Sequence, residues 1–487
     1  MSSVPIHPSG IVLTPKSSRV LVRSCVSSDP ERVEHILDRA FSLSDEAVAA
    51  DLGFLRAEFH ARHHDLEACW RRHFALVAGG IGDRALTADR KLYIGALFSG
   101  EYAIESAALF NPSIVAHPDQ SGLADGDLRF VLSLRATGEG HISSIEFRSG
   151  VVHADFRITL DPVSPYVTAP GVKENPTYRK SVFTHKLDEM GFDNEWSRRV
   201  MASLDRDFTH EQLRSATSDA RGGEFEREAK RTMECIHWLA SSNYEISFPP
   251  GVALSQRIIF PVSANESNGI EDARFVFFED EDGSRCYYAT YTAYNGHAIL
   301  PQLIETVDLE NFRVLTLNGR AAQNKGMALF PRRIGGRYAM LSRQDDENLY
   351  VMFSDNLHFW NEPRLLASPR SPWEFVKIGN CGSPIETPEG WLVITHGVGP
   401  MRRYCIGAML LDRDQPDLVL GRLVKPLVEP EGELREGYVP NVVYSCGAML
   451  HGSRLVFPYA FSDTKTTIAT IELSDLLGAM SRPDPLQ

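Results

Sequence analysis

The chain of 487 residues contains seven cysteines and not one CxxC pair. Cys25, Cys69, Cys235, Cys286, Cys381, Cys405 and Cys446 lie scattered along it. An odd number over so long a chain argues against a disulfide scaffold and a zinc site, and no metal is expected. Long hydrophobic runs are missing as well: no stretch approaches the ~18 apolar residues that a membrane span needs. Blocks of positive charge are also absent, and the net charge is −14. That balance disfavours nucleic acid as a partner and suits a soluble, cytoplasmic enzyme. The first residues, MSSVPIHPSG, offer no charged start before an apolar core, so no signal peptide is expected. There is no GxxxxGKS/T motif, no GxGxxG between a strand and a helix, and no GxSxG elbow, which argues against nucleotide binding and an esterase-type serine.

Two stretches have helical period. The first, about 30–88, opens on an Asp–Pro start signal in DPERVEHILDRAF and stops near Gly79-Gly80. The second covers about 184–242. His60, His63 and His64 fall in the first stretch. HARHHD reads as a solvated helix face and not as a metal site.

The remainder reads as strands, and it repeats. A glycine turn leads into a strand that ends in a polar residue, and a second strand follows. DGDLRFVLSLRATGEGHISSIEF, DGSRCYYATYTAYNGHAILPQLIET, GGRYAMLSRQDDENLYVMFSD, EGWLVITHGVGPMRRYCIGAMLLD and GSRLVFPYAFSDTKTTIATIEL are the copies. The last four turn glycines, Gly283, Gly336, Gly390 and Gly452, are spaced by 53, 54 and 62 residues. The first, Gly126, lies 157 residues earlier, with the second helical stretch between. Several strands per unit at this period predict a mainly β fold, a five-bladed β-propeller with two α-helical insertions. The expected divisions are an N-terminal segment with a helical region (1–92), the first blade (93–165), a helical insertion (166–245), the remaining blades (246–475) and a C-terminal tail (476–487). The polar residues after the first strand of each copy are Arg135, Thr292, Arg343, His396 and Tyr459. Equivalent positions in a propeller surround its axis, so these groups are expected to converge on a site.

Ordered motifs accompany the repeat: GIEDAR, NKGMALFPRRIGGRYAMLSR, PWEFVKIGNCGSPIETPEGWLVITHGV, EGYVPNVVYSCGA and PYAFSD. On these the chain resembles glycoside hydrolase family 130, the β-mannoside phosphorylases and related β-mannosidases, over about 93–165 and 246–475. The family's GxEDPR motif is matched by Gly269, Glu271, Asp272 and Arg274, with Ala273 in place of proline. The resemblance implies that Asp272 is the catalytic acid. It implies phosphate binding by Lys325, Arg343, Lys377 and His396. It implies sugar contacts at Asn111, from LFNPSIV, and Asp463, from FSDTK; Arg135, Glu271, Arg274 and Tyr294 complete the expected substrate site. NKG departs from the commoner NKD of the family.

Cleavage of a glycosidic bond needs a proton on the leaving oxygen and a nucleophile at the anomeric carbon. Glu271 beside Asp272 would raise its pKa and Arg274 would lower it, and the sequence leaves that contest open. Phosphate needs fixed cations, which the four basic or protonatable groups supply. The expectation is therefore inverting phosphorolysis of a β-mannoside or oligosaccharide to mannose 1-phosphate. Inorganic phosphate is the co-substrate and no cofactor is expected. Two alternatives stand beside it. One is a β-mannoside hydrolase of the same family, with a carboxylate base among Glu305, Asp345, Asp346 and Glu347. The other is a non-catalytic carbohydrate-binding propeller. Trp360, Trp373 and Tyr294 are candidates for stacking on sugars. The helical insertions are expected to shape the rim or to join copies of the chain in a homo-oligomer.

Overall fold

The computed structural model describes residues 4–82, 84–173, 176–219, 226–296 and 299–481. Of the expected C-terminal tail, 482–487 lie outside the described residues. The chain is mainly β, in five antiparallel groups of strands that follow chain order and are numbered below as sheets; the first two are joined by a parallel bridge between Gly269 and Ser143. The first contains Ala108–Ala116, Leu128–Thr137, Ser143–Val152 and Ile158–Leu160. The second contains Gly269–Glu279, Arg285–Tyr294, Ile299–Thr306 and Asn311–Thr316. The third runs from Ala328–Leu329 through Tyr338–Ser342 and Leu349–Ser354 to Pro363–Ala367. In the fourth, Lys377–Asn380 and Ile385–Thr387 share one edge of Gly390–Val398, and Tyr404–Leu411 and Val419–Arg422 follow. The fifth has Val443–Tyr444 and Met449–His451 against Arg454–Phe461, then Lys465–Glu472. Its last strand comes from the other end of the chain: His7–Leu13 pairs antiparallel with Lys465–Glu472, His7 opposite Thr470. The repeat glycines Gly126, Gly283, Gly336, Gly390 and Gly452 have φ of 82°, 81°, 78°, 142° and 56°, values that L side chains rarely adopt.

The sheets bury both faces, which is why inner strands such as Gly390–Val398 are buried at every position instead of every second one. One apolar cluster joins the first and second sheets through Val115, Phe147, Ile270 and Phe275. The next joins the second and third through Phe278, Leu303, Met340 and Trp360. The third and fourth meet at Phe330, Leu341, Trp391 and Val393, and the fourth and fifth at Leu392, Ile406, Leu455 and Phe457. A further cluster returns from the fifth to the first through Val456, Ile468, Leu132 and Ile114. Hydrogen bonds follow the same circuit. The Phe275 amide donates to Ser113 Oγ, the Thr290 hydroxyl to Met327 O, the Ile378 amide to Glu347 O, the Tyr404 amide to Asn441 O, and the Cys446 amide to Pro112 O.

Four helices precede the first sheet: α1 (Pro30–Ser42), α2 (Asp45–Phe59), α3 (Leu66–Val77) and α4 (Ala88–Leu97). Asp29 caps α1, Ser44 caps α2 and Thr87 caps α4, each accepting a backbone N–H. The helical region thus runs to Leu97, past the double glycine. HARHHD is solvated except at one position: His60, Ala61, Arg62, His64 and Asp65 are exposed, on and after a short helical turn. His63 is buried and meets Glu101 at 2.7 Å, and the His64 ring lies 3.6 Å from that of Tyr166.

Four more helices lie between the first and second sheets: α5 (Lys180–Glu189), α6 (Glu195–Ala202), α7 (His210–Asp219) and α8 (Glu226–Ser241). They have a core of their own, including Phe183, Leu187, Met201, Phe208, Ile236 and Leu239. After α8, strand Tyr244–Ser247 adds to the outer strand Asn311–Thr316 of the second sheet, and so fixes the insertion at that edge. No helix among the described residues is long and apolar enough to cross a membrane.

Candidate active site

The inner strands of the first two sheets both skip register at their starts, between Phe110 and Ser113 and between Glu271 and Arg274. Each bulge carries one residue with left-handed backbone, Asn111 at φ 48° and Asp272 at φ 56°. Bulges turn a side chain out of the pleat, and asparagine and aspartate tolerate that conformation better than other L residues. Two further motif residues share it: Asn324, before the third sheet, at 64°, and Asp463, in the hairpin of the fifth, at 46°. Strained backbone of this kind gathers at functional sites.

Asp272 accepts a short hydrogen bond from Asn111 Nδ2. Arg135 Nη1 reaches its Oδ1 at 3.2 Å, and Arg135 Nη2 reaches Glu271 Oε1 at 2.8 Å. Lys325 Nζ donates to the other Glu271 oxygen at 2.6 Å and lies 5.9 Å from the Tyr294 ring centroid. Arg274 is buried and links three sheets. It donates to Asp272 O at 2.8 Å, Cys381 O at 3.0 Å and the Tyr444 hydroxyl at 2.9 Å. Burial works to raise the Asp272 pKa. The charges of Arg135, Arg274 and Lys325 and the Asn111 hydrogen bond outweigh it, and the carboxyl is held below its ordinary value. The cations win the contest that the sequence leaves open. Asp463 differs: burial pushes its carboxyl up to about 6, against the pull of Arg135 and with the help of Asp272.

A second group lies on the third and fourth sheets. Arg343 and His396 are both buried, with Arg343 Nη1 3.0 Å from His396 Nε2. A guanidinium only donates, so Nε2 accepts and the imidazole is neutral. Its pKa lies well below the ordinary value because of burial and then the charges of Arg343, Arg274 and Lys377. Arg343 has no carboxylate partner among the described residues, and its Nε makes no hydrogen bond. Space for it is made by glycine. A Cβ at Gly326 would lie 2.5 Å from Arg343 Nε, and one at Gly379 would lie 2.6 Å from His396 Cε1.

The repeat-equivalent positions therefore converge in part. Arg343 and His396 meet, and Arg135 joins Asp272. Thr292 is buried opposite Glu271, whereas Tyr459 stacks on Phe457. Two expected phosphate ligands are engaged by acids: Lys325 by Glu271, and Lys377 by Asp346 at 2.6 Å. Of the candidate bases, Glu305 pairs with Arg313 at 3.4 Å, and Asp345 is tied to Asn348 and the Tyr350 hydroxyl. Trp360 is core, and the Trp373 ring packs over Gly397 and Gly407. Sequence reasoning missed Tyr444, Cys381, Gly326 and Gly379 as groups that place the two arginines. All four lie inside the quoted motifs, where glycines and a tyrosine carry no charge to attract notice.

The candidate site thus has two parts, a carboxylate held among cations on the first two sheets and, on the third and fourth, a buried cation with no carboxylate partner among the described residues. The sequence model of the family described as beta-1,4-mannooligosaccharide phosphorylase matches residues 233–482. The chain belongs to this family, glycoside hydrolase family 130. It is 34% identical over 232 residues to a 1,2-beta-oligomannan phosphorylase of Thermoanaerobacter sp. (strain X514), an alignment that takes in 45% of this chain and 75% of the relative. It is 30% identical over 226 residues to a beta-1,2-mannobiose phosphorylase of Listeria innocua serovar 6a, covering 45% of this chain and 62% of the relative. Among solved structures, a beta-1,2-mannobiose phosphorylase from Listeria innocua, with beta-1,2-mannobiose bound, aligns at TM-score 0.46 and 22% identity, over 78% of this chain and 93% of that one.

Proposed function

We propose that the protein is a phosphorylase that cleaves a β-mannoside with inorganic phosphate, with inversion, to mannose 1-phosphate and a shortened saccharide. The observation that carries this is Arg343, a buried guanidinium beside a neutral histidine with no carboxylate partner among the described residues. A buried cation without a counter-charge is costly, and an anion from solution removes that cost. A water nucleophile offers no such compensation. The relatives' names support the mannosyl donor. They include both β-1,2 and β-1,4 linkages, so the proposal does not choose between them.

In this reading Arg343 and the His396 Nδ1–H bind phosphate, with Lys325 and Lys377 released from Glu271 and Asp346 to join them. A phosphate oxygen attacks the anomeric carbon as the bond to the leaving oxygen breaks, and that oxygen takes a proton that derives from Asp272. Asp272 is ionised by the surrounding cations when no anion is bound. Phosphate offsets those cations, so its arrival raises the Asp272 pKa and prepares the acid. Asn111 and Arg135 hold the carboxylate in place, and Asp463 and Tyr294 face the sugar.

We also read the five sheets as the blades of a propeller, supported by the cyclic order of apolar clusters and by a 600 Å³ cavity. That cavity is lined by Ile114 and Phe275 from strands of the first and second sheets and by Pro331, Ser383 and Ala448 from loops next to strands of the other three. Each of these residues comes a few positions after a site residue, Asn111, Asp272, Lys325, Lys377 and Tyr444 in turn, which supports a catalytic cluster at the opposite end of a common axis. The divisions 93–165 and 246–475 remain our assignment of the blades, with His7–Leu13 added to the last. The test of the chemistry is Arg343→Ala. It should raise KM for phosphate by about ten- to a hundredfold, the loss of one charge-assisted contact, with KM for the saccharide within twofold of wild type. An unchanged KM for phosphate would overturn the assignment.

A further inference from the structure

The helical insertion and the outer edge of the second sheet enclose a cavity of about 300 Å³, lined by none of the residues of the catalytic cluster. Its floor is apolar, formed by Phe183, Leu239 and Leu315, and Arg179, Arg313 and His358 line it. Arg179 is exposed and has no ion pair among the described residues. Arg313 is held only loosely, 3.4 Å from Glu305 and 3.9 Å from Glu245. The His358 ring has no hydrogen-bond partner among the described residues. Burial, then the charges of Arg313 and Arg179, lower its pKa to about 4. Two guanidiniums therefore flank a neutral imidazole. Acids are present, Glu245 and Asp207, but Glu245 is shared with Lys173 at 2.7 Å.

We propose that this cavity binds a phosphate monoester of a small sugar or polyol. Its phosphate would lie between Arg179 and Arg313, with His358 as the third donor and the organic part on the apolar floor. Two forked guanidiniums and an imidazole suit a tetrahedral oxyanion better than a planar carboxylate, and the volume exceeds what free phosphate fills. The cavity is also connected to the catalytic approach. From α5, Lys186 Nζ donates to Leu317 O at 3.2 Å, and Glu189 accepts the Gly319 amide at 2.5 Å. From Gly319 the chain leads directly to Asn324 and Lys325.

The probes are mannose 1-phosphate, inorganic phosphate and mannose, titrated by calorimetry into wild type, Arg343→Ala and the double variant Arg179→Ala/Arg313→Ala. Both arginines of the double variant are exposed, so folding is expected to survive. Wild type should bind two equivalents of mannose 1-phosphate. The double variant should lose one or weaken it at least tenfold, and Arg343→Ala should keep the cavity equivalent. Phosphate alone should bind the cavity more weakly than the monoester, and mannose should not bind there; phosphate binding as tightly as the monoester would reassign the cavity to free phosphate and overturn the proposal. In Arg343→Ala, mannose 1-phosphate should slow hydrogen exchange over 177–186 and 313–319. Absence of that protection, or a single equivalent in wild type that the double variant retains, would overturn the proposal. If the proposed phosphorolysis fails, wild type should bind one equivalent that the double variant loses and Arg343→Ala keeps, so the two failures are distinguishable.

Discussion

Two buried clusters of arginine differ in one respect. Under the first sheet, Arg19 and Arg148 face Glu105 and Glu146, with Arg19 Nε 2.9 Å from Glu105, Arg19 Nη2 2.8 Å from Glu146, and Arg148 at 3.2 and 2.9 Å from the two acids. Two guanidiniums meet two carboxyl groups, of which burial and then Glu146 push Glu105 up to about 8, and the quartet ties the N-terminal strand region to the sheet. On the third and fourth sheets, Arg343 is also buried, yet its polar partner is a neutral histidine whose own Nδ1 has no hydrogen-bond partner among the described residues. Burial alone does not mark function. A charge that the fold leaves unbalanced does, because folding stability would be served by pairing it.

The comparison can be broken in four ways, from the largest effect to the smallest. Asp272→Asn should lower kcat/KM by about 10²–10⁴, the usual contribution of a positioned acid; near-normal turnover would move the proton to Asp463. Glu146→Ala leaves two buried guanidiniums to share Glu105 alone and should cost about 3–5 kcal/mol of stability by denaturant unfolding, with turnover per folded molecule unchanged. Arg343→Ala should do the reverse. Its unfolding free energy should match or exceed that of wild type, and the rise in melting temperature that phosphate gives wild type should vanish; destabilisation by several kcal/mol would make Arg343 a structural group like Arg19.

The smallest effect concerns Asp463, whose pKa is raised in the fold to about 6. A carboxyl raised on folding adds stability while protonated, below its unfolded pKa, and that contribution is lost as pH rises through 6. Asp463→Asn should therefore be the more stable form at pH 7, by on the order of 1 kcal/mol, and the difference should close toward pH 4. A difference that does not depend on pH would contradict the assignment.

Much of this was legible in the chain. Glycines at a steady spacing mark turns with positive φ, and all five do adopt it. The positions equivalent in the repeat brought Arg343 to His396 across two sheets. The strand His7–Leu13 was not legible, since HPSGIVL pairs with residues near the other end of the chain and local pattern is silent on partners so remote. Nor could spacing reveal that Lys325 rests on Glu271 and Lys377 on Asp346, because long side chains choose acids by reach. The left-handed bulges left a trace in the Asn and Asp of FN, GIED and FSD, residue types that accept that backbone. The same types also bind sugars and protons, which hid the structural reason behind the chemical one.

The central claim is that the unbalanced cations await phosphate as the nucleophile. The direct measurement is the product formed from β-mannobiose by wild-type protein with and without inorganic phosphate. Mannose 1-phosphate released only when phosphate is present, in amounts equal to the bonds cleaved, is the predicted result; free mannose released at the same rate in both conditions would contradict it.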